Sequence, residues 1–134
     1  CWVDDIFLGD FQYVSDYRLK KDVAPLPSTW EAVKALKPVK YTRAEWGPKE
    51  LAPDKPEFKT EGPSLFTADD IERWGFIAHE LQETLTPSAA TGVKDAVNEV
   101  QSPNPWTVIS ALTKALQEAM TRIETLEAAA ATRK

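Results

Sequence analysis

Ser15-Asp16-Tyr17-Arg18-Leu19-Lys20-Lys21-Asp22-Val23 sets a serine five residues ahead of a lysine, in a run dense with charge and free of glycine. A serine hydroxyl is a weak nucleophile at neutral pH until a base takes its proton. A lysine is such a base only when its pKa falls towards neutrality. Arg18 and Lys21 flank Lys20 and push in that direction, because neighbouring cations disfavour another charge. The spacing itself is awkward. On a helix the two side chains would lie about 140° apart, and on a straight strand they would face opposite sides. A direct contact needs a bend, and Tyr17 and Leu19 are not turn formers. Seen alone, Ser15 reads as a turn or capping residue and Lys20 as a solvated surface lysine.

Two later segments change the weight of the first. Leu36-Lys37-Pro38-Val39-Lys40-Tyr41 and Trp74-Gly75-Phe76-Ile77-Ala78-His79-Glu80-Leu81 follow it in order, ahead of a long C-terminal helical pattern. The succession "SDYRLKKDV", "ALKPVKYT", "GFIAHELQE" and a coiled-coil-like helix resembles the intramolecular chaperone auto-processing domain. That family sits at the C-terminus of phage tail spikes, tail fibres and endosialidases, and occurs in the myelin regulatory factor. The resemblance runs from Ser15 to the end of the chain. It is carried by the three motifs in fixed order, each of which is unspecific alone.

The resemblance implies an α+β fold: a small mixed domain of short helices and strands, an extended arm, and a long C-terminal helix forming a trimeric coiled coil. It implies that Ser15 and Lys20 are a serine–lysine dyad. Ser15 would attack the carbonyl just before it, cutting between Val14 and Ser15 in a single turnover within one chain. His79 would lie close to the dyad, polarising the scissile carbonyl or orienting Ser15. Asp16 and Arg18 match the family's "SD-x-R" frame, with the role of fixing the loop by an ion pair or backbone hydrogen bonds. Glu80 would hold a cation such as Arg18, a plain surface carboxylate being the alternative. The implied partners are two further copies, as a homotrimer, and an upstream fibre or spike on the same chain. No cofactor is implied. The setting would be the host cytoplasm during phage assembly, with the domain released from the mature virion once cut.

Bulk properties bound the reading without deciding it. A chain of 134 residues is about one domain, and a net charge of −5 gives no basic footprint for nucleic acid. No run approaches the roughly 18 apolar residues of a membrane span. One cysteine, Cys1, excludes an internal disulfide, and with His79 the one histidine no metal site is expected. A start on Cys1 rather than Met suggests a piece of something longer.

Along the chain, residues 1–14 read as two short extended pieces about a turn at Gly9-Asp10, the end of the upstream protein. A core follows over residues 15–104. Ser28 or Thr29 caps a helix running to about Lys37, with Trp30, Val33 and Leu36 on its buried face, and Pro38 ends it. Val39 to Thr42 alternates as a half-buried strand. Four prolines among charges mark Trp46 to Pro63 as an exposed arm such as an extended hairpin, with a disordered loop fitting the composition nearly as well. Trp74 to Ala78 reads as a buried strand and Ala78 to Leu85 as a helix. Val93 to Val100 fits a strand or a short helix equally.

Residues 105–134 form the last element. Asn104 is a fitting N-cap and Pro105 a favourable first helical residue. Ile109, Leu112, Leu116, Ala119, Ile123, Leu126 and Ala130 then step 3, 4, 3, 4, 3, 4, an unbroken a/d stripe. A helix packed on its own core is the ordinary explanation of such a stripe. The 3.5-residue period and the terminal position favour an interface between copies. Glu118 and Arg122 are spaced as an i,i+4 ion pair. These choices do not separate dimer from trimer; the trimer comes from the resemblance.

The sequence therefore carries a self-cleaving chaperone as its first reading. A non-cleaving trimerisation or attachment module, with Ser15 and Lys20 structural, is the alternative.

Overall fold

The computed structural model describes residues 2–3, 6–7, 15–46, 66–96 and 99–133. Among them the chain is a mixed α and β structure ending in one long helix. Strands β1 (Trp2–Val3) and β2 (Ile6–Phe7) pair antiparallel, Trp2 opposite Phe7 and Val3 opposite Ile6. The turn expected at Gly9-Asp10 and the residues of the arm between 47 and 65 lie outside the described residues.

Helix α1 (Trp30–Ala35) starts where expected but stops two residues before Lys37. Leu36 turns extended, its N–H closing the last turn on the Val33 carbonyl at 3.2 Å. The chain has to leave the helical region before Pro38, whose ring crowds a helical Lys37. It goes straight into β3 (Val39–Tyr41), which pairs antiparallel with β4 (Arg73–Gly75), Lys40 opposite Trp74.

These strands are the base of one longer hairpin. Trp46 and Phe66 exchange both backbone hydrogen bonds at 3.0 Å, and the Asp69 N–H reaches the Arg43 carbonyl at 3.1 Å. From the Tyr41–Arg73 pair to the Trp46–Phe66 pair the chain advances five residues on one side and seven on the other. The two extra residues are absorbed in a knot. Arg73 holds both Asp69 carboxylate oxygens at 2.7 and 2.9 Å, and the Ile71 N–H donates to Asp69 Oδ1 at 3.0 Å. Arg73 is what keeps the Asp69 carboxyl down at about 2. The chain leaves this hairpin at Trp46 and re-enters it at Phe66, and the arm expected over 46–63 lies outside the described residues beyond Trp46.

The buried strand expected at Trp74 is a correction. Trp74 is 84% exposed, with its indole N–H on Glu72 Oε1 at 3.1 Å. A two-stranded sheet has no second layer over that face, and in the run Trp74 to Ala78 the residues Gly75, Phe76 and Ala78 are half-buried.

Helix α2 (Ala78–Thr84) and helix α3 (Pro105–Thr132) complete the frame. Leu81, Ala89 and Val108 form the buried centre, with Leu36, Phe76 and Leu85 packed around it. Burial of such residues is the main term holding α1, α2 and the root of α3 together. The connection to α3 is tied by polar contacts. The Gln82 amide shares its two N–H groups among the carbonyls of Pro87, Ala90 and Gly92, at 3.0 to 3.2 Å. Gln101 bonds back to Gln82 Oε1 at 2.8 Å, and Gly92 takes the positive φ of 70° that this tight loop demands. Val93 to Val100 forms neither strand nor helix among its described residues. Asn104 caps α3 by accepting the Trp106 N–H at 3.1 Å, and Pro105 is its first residue.

Candidate functional site

The bend between Ser15 and Lys20 that the sequence did not announce is a 3₁₀ turn, Tyr17–Leu19. Asp16 builds it. Its Oδ1 accepts the Arg18 backbone N–H at 2.9 Å, capping the turn. Arg18 then folds back and grips the same carboxylate through Nε at 3.0 Å and through its terminal nitrogen at 2.8 Å. The Leu19 N–H closes on the Asp16 carbonyl and the Lys20 N–H on the Tyr17 carbonyl, both at 3.1 Å. Arg18 holds the Asp16 carboxyl below the usual carboxylate range, so the cap is charged at neutral pH.

One turn of 3₁₀ geometry reverses the chain enough to bring the ends together. Lys20 Nζ lies 2.7 Å from Ser15 Oγ and 2.6 Å from the Ser15 carbonyl oxygen. The carbonyl can accept only an N–H. In the neutral amine, one N–H spent there leaves the lone pair free to face Oγ, the arrangement in which a lysine can take a serine proton. Asp16 and Arg18 bear on this geometry through the turn and make no contact with Oγ. The segment stands open to water, with Ser15, Tyr17, Leu19, Lys20 and Val23 all exposed.

His79 and Glu80 lie on the first turn of α2, both half-buried. Among the described residues His79 forms no hydrogen bond to Ser15 or Lys20. Glu80 pairs with Lys37 at 3.5 Å rather than with Arg18, which is committed to Asp16. The sequence pointed to a cation for Glu80 and missed which one. Lys37, just before Pro38, is carried to α2 by the packing of Leu36 beneath it. An apolar groove of about 430 Å³ lined by Pro38, Val39, Lys40, Trp74, Gly75 and Phe76 lies on the hairpin, and no dyad residue lines it.

Helix α3 has two seams. Val108 and Ala111 are buried against the chain's own body. Further along the same seam Glu118 accepts the Ser28 hydroxyl at 2.7 Å and the Thr29 N–H at 3.1 Å, while the Thr29 hydroxyl donates to the Ala111 carbonyl at 2.6 Å. Ser28 Oγ accepts the Trp30 N–H at 3.4 Å, as a capping residue should, Thr29 makes no such bond, and Glu118 supports this start of α1 from outside. Arg122 stacks on Trp30, 3.7 Å from the ring centroid. The charge of Arg122 still bears favourably on Glu118, as the i,i+4 spacing expects, while the close contacts of both side chains are made with α1, which local spacing does not encode. The a/d stripe forms the other seam. Leu116, Ile123 and Leu126 on it are 62%, 54% and 69% exposed, and Ile109 and Leu112 are about half exposed. Only Ala119 among the larger set is half-buried.

A family model described as chaperone of endosialidase matches residues 15–90. The match begins at Ser15, takes in Asp16, Arg18, Lys20, His79 and Glu80, and ends before α3. No curated protein matches the chain.

Proposed function

The chain belongs to the chaperone of endosialidase family, and from that premise we propose that it is a C-terminal intramolecular chaperone which trimerises, registers an upstream phage fibre or spike, and then frees itself by cutting between Val14 and Ser15. Membership supports the chaperone role and an upstream fibre or endosialidase region as its client. Trimerisation, cleavage and action in the host cytoplasm are the finer parts of the proposal.

The chaperone role follows from a kinetic difficulty. Intertwined β fibres have high contact order, and three chains must align before any of them gains stability. A compact trimer at the C-terminus turns that search into an effectively intramolecular one. Cutting afterwards leaves a product that cannot unfold and refold in register, so it is kinetically stable. The exposed a/d stripe supports the trimer. Beyond Arg122 the helix is exposed and packs on nothing among the described residues, and an isolated helix of that length is marginal in water.

The cut rests on one observation, Lys20 Nζ at 2.7 Å from Ser15 Oγ. Neutral Lys20 takes the Ser15 hydroxyl proton as Oγ bonds to the Val14 carbonyl carbon. The bond from that carbon to the Ser15 nitrogen breaks, and the nitrogen takes the proton from Lys20. Val14 is then held as an ester on Ser15 Oγ. Water hydrolyses the ester, giving a Val14 carboxylate, the Ser15 hydroxyl and a free Ser15 amino group. No substrate cleft is required, because nucleophile and scissile bond are adjacent in one chain. N-terminal sequencing of fragments from the assembled protein tests this: a fragment beginning at Ser15 is expected, and fragments beginning elsewhere would overturn the assignment.

A further inference from the structure

The a/d stripe says that copies of α3 associate and says nothing of their direction or offset; the charges beside it do. With Ile109 at position a, Arg122 falls at g and Glu127 at e of the next heptad. In a parallel coiled coil without offset, a g side chain meets the e side chain of the following heptad on the neighbouring helix. That pairs Arg122 of one copy with Glu127 of the next. No other simple arrangement does so. A shift by one heptad sets Arg122 against Met120 or Lys134. An antiparallel arrangement sets g against g, where the remaining residues are Val108, Ala115 and Ala129.

The structure explains how Arg122 is available. Its own-chain acid four residues back, Glu118, has both oxygens engaged by Ser28 and Thr29. The Arg122 guanidinium carbon sits 3.7 Å above the Trp30 ring centroid, a contact made through the face of the group, and among the described residues its N–H groups make no hydrogen bond. The stack also fixes the side chain beforehand, reducing the rotamer entropy lost on pairing. Glu127 is exposed and has no ion-pair partner among the described residues of its own chain.

We propose that Arg122, held on its own Trp30, pairs with Glu127 of the next copy and fixes a parallel, zero-offset alignment of the α3 helices. This rests on the trimer reading above and adds direction and register to it. For a chaperone that aligns three chains, register at this helix is register at the start of the fibre.

The test uses the full chain with Cys1→Ser and a reporter cysteine, Ala130→Cys, at an a position. Mild oxidation is expected to link copies rapidly. Glu127→Arg or Arg122→Glu alone slows linking about tenfold, the scale of three weak pairs lost together. Combining both changes in one chain restores the rate, since all three pairs re-form with the charges exchanged, and mixing the single variants restores it in part, because a mixed trimer recovers two of its three pairs. Equal rates in all samples would overturn the proposal, as would a parent that sediments as a trimer yet does not link. A parent that sediments as a single chain would instead refute the trimer reading beneath it.

Discussion

Two leucine-to-alanine changes, Leu81→Ala and Leu126→Ala, separate what holds one chain together from what joins copies. Each removes three carbons, worth about 2.4 kcal/mol of transfer free energy when fully buried. Leu81 is 1% exposed between Ala89, Val108 and their neighbours, so its loss adds a cavity term and totals about 3 to 4 kcal/mol. Leu126 is 69% exposed in the single chain, so alanine there costs a dilute monomer little. If a neighbour covers the open share, the change removes about 1.7 kcal/mol per chain and about 5 per trimer. Urea unfolding followed by tryptophan fluorescence, at several protein concentrations, reads both quantities. Leu81→Ala is expected to lower stability at every concentration. Leu126→Ala is expected to lower it only where the parent is assembled. A Leu126→Ala trimer as stable as the parent would refute the stripe as an interface. A dilute Leu126→Ala chain weakened as much as Leu81→Ala would show that this part of α3 packs on its own chain.

The turn and the α1 anchor give further predictions. Asp16→Ala removes the cap and the Arg18 grip together. The cut is expected to slow about a hundredfold, the cost of roughly 1 Å of misplacement at a reacting centre, with assembly by sedimentation unchanged. An unchanged cleavage rate would mean that the turn does not position Lys20. Glu118 is charged where it supports the start of α1, and its hydrogen bonds from Ser28 and Thr29 hold its carboxyl below the usual range. The stability it contributes is present above the unfolded carboxylate pKa of about 4.3 and is lost as pH falls through the depressed folded value. Acid titration of the parent should show that loss and Glu118→Gln should flatten it; identical acid limbs would refute the assignment.

Local signals were legible wherever one residue determines one element. Asn104-Pro105 announced the start of α3, Pro38 forced the exit from α1, and the a/d stripe is mostly exposed among the described residues. Two kinds of feature stayed hidden. The 3₁₀ form of the Ser15–Lys20 turn was one, since Tyr17 and Leu19 carry no turn chemistry of their own, although the Asp16–Arg18 ion pair that holds it was expected from the resemblance. The Glu118–Ser28 and Arg122–Trp30 contacts join residues about ninety positions apart, beyond what the i,i+4 rule, which gave the Glu118–Arg122 attraction alone, can see. The apolar run at Trp74 misled for a related reason. Hydrophobic content suggested burial, while a sheet of two strands supplies nothing to bury the indole against.

The central claim is that this chain cuts itself at Ser15 through Lys20. Intact mass of the chain carrying its natural upstream stalk, beside its Ser15→Ala and Lys20→Ala versions, tests it most directly. The account predicts two fragments divided between Val14 and Ser15 in the parent and a single uncut mass in both variants. An uncut parent that sediments as a trimer, or a Lys20→Ala protein cut at the parent's rate, would contradict it.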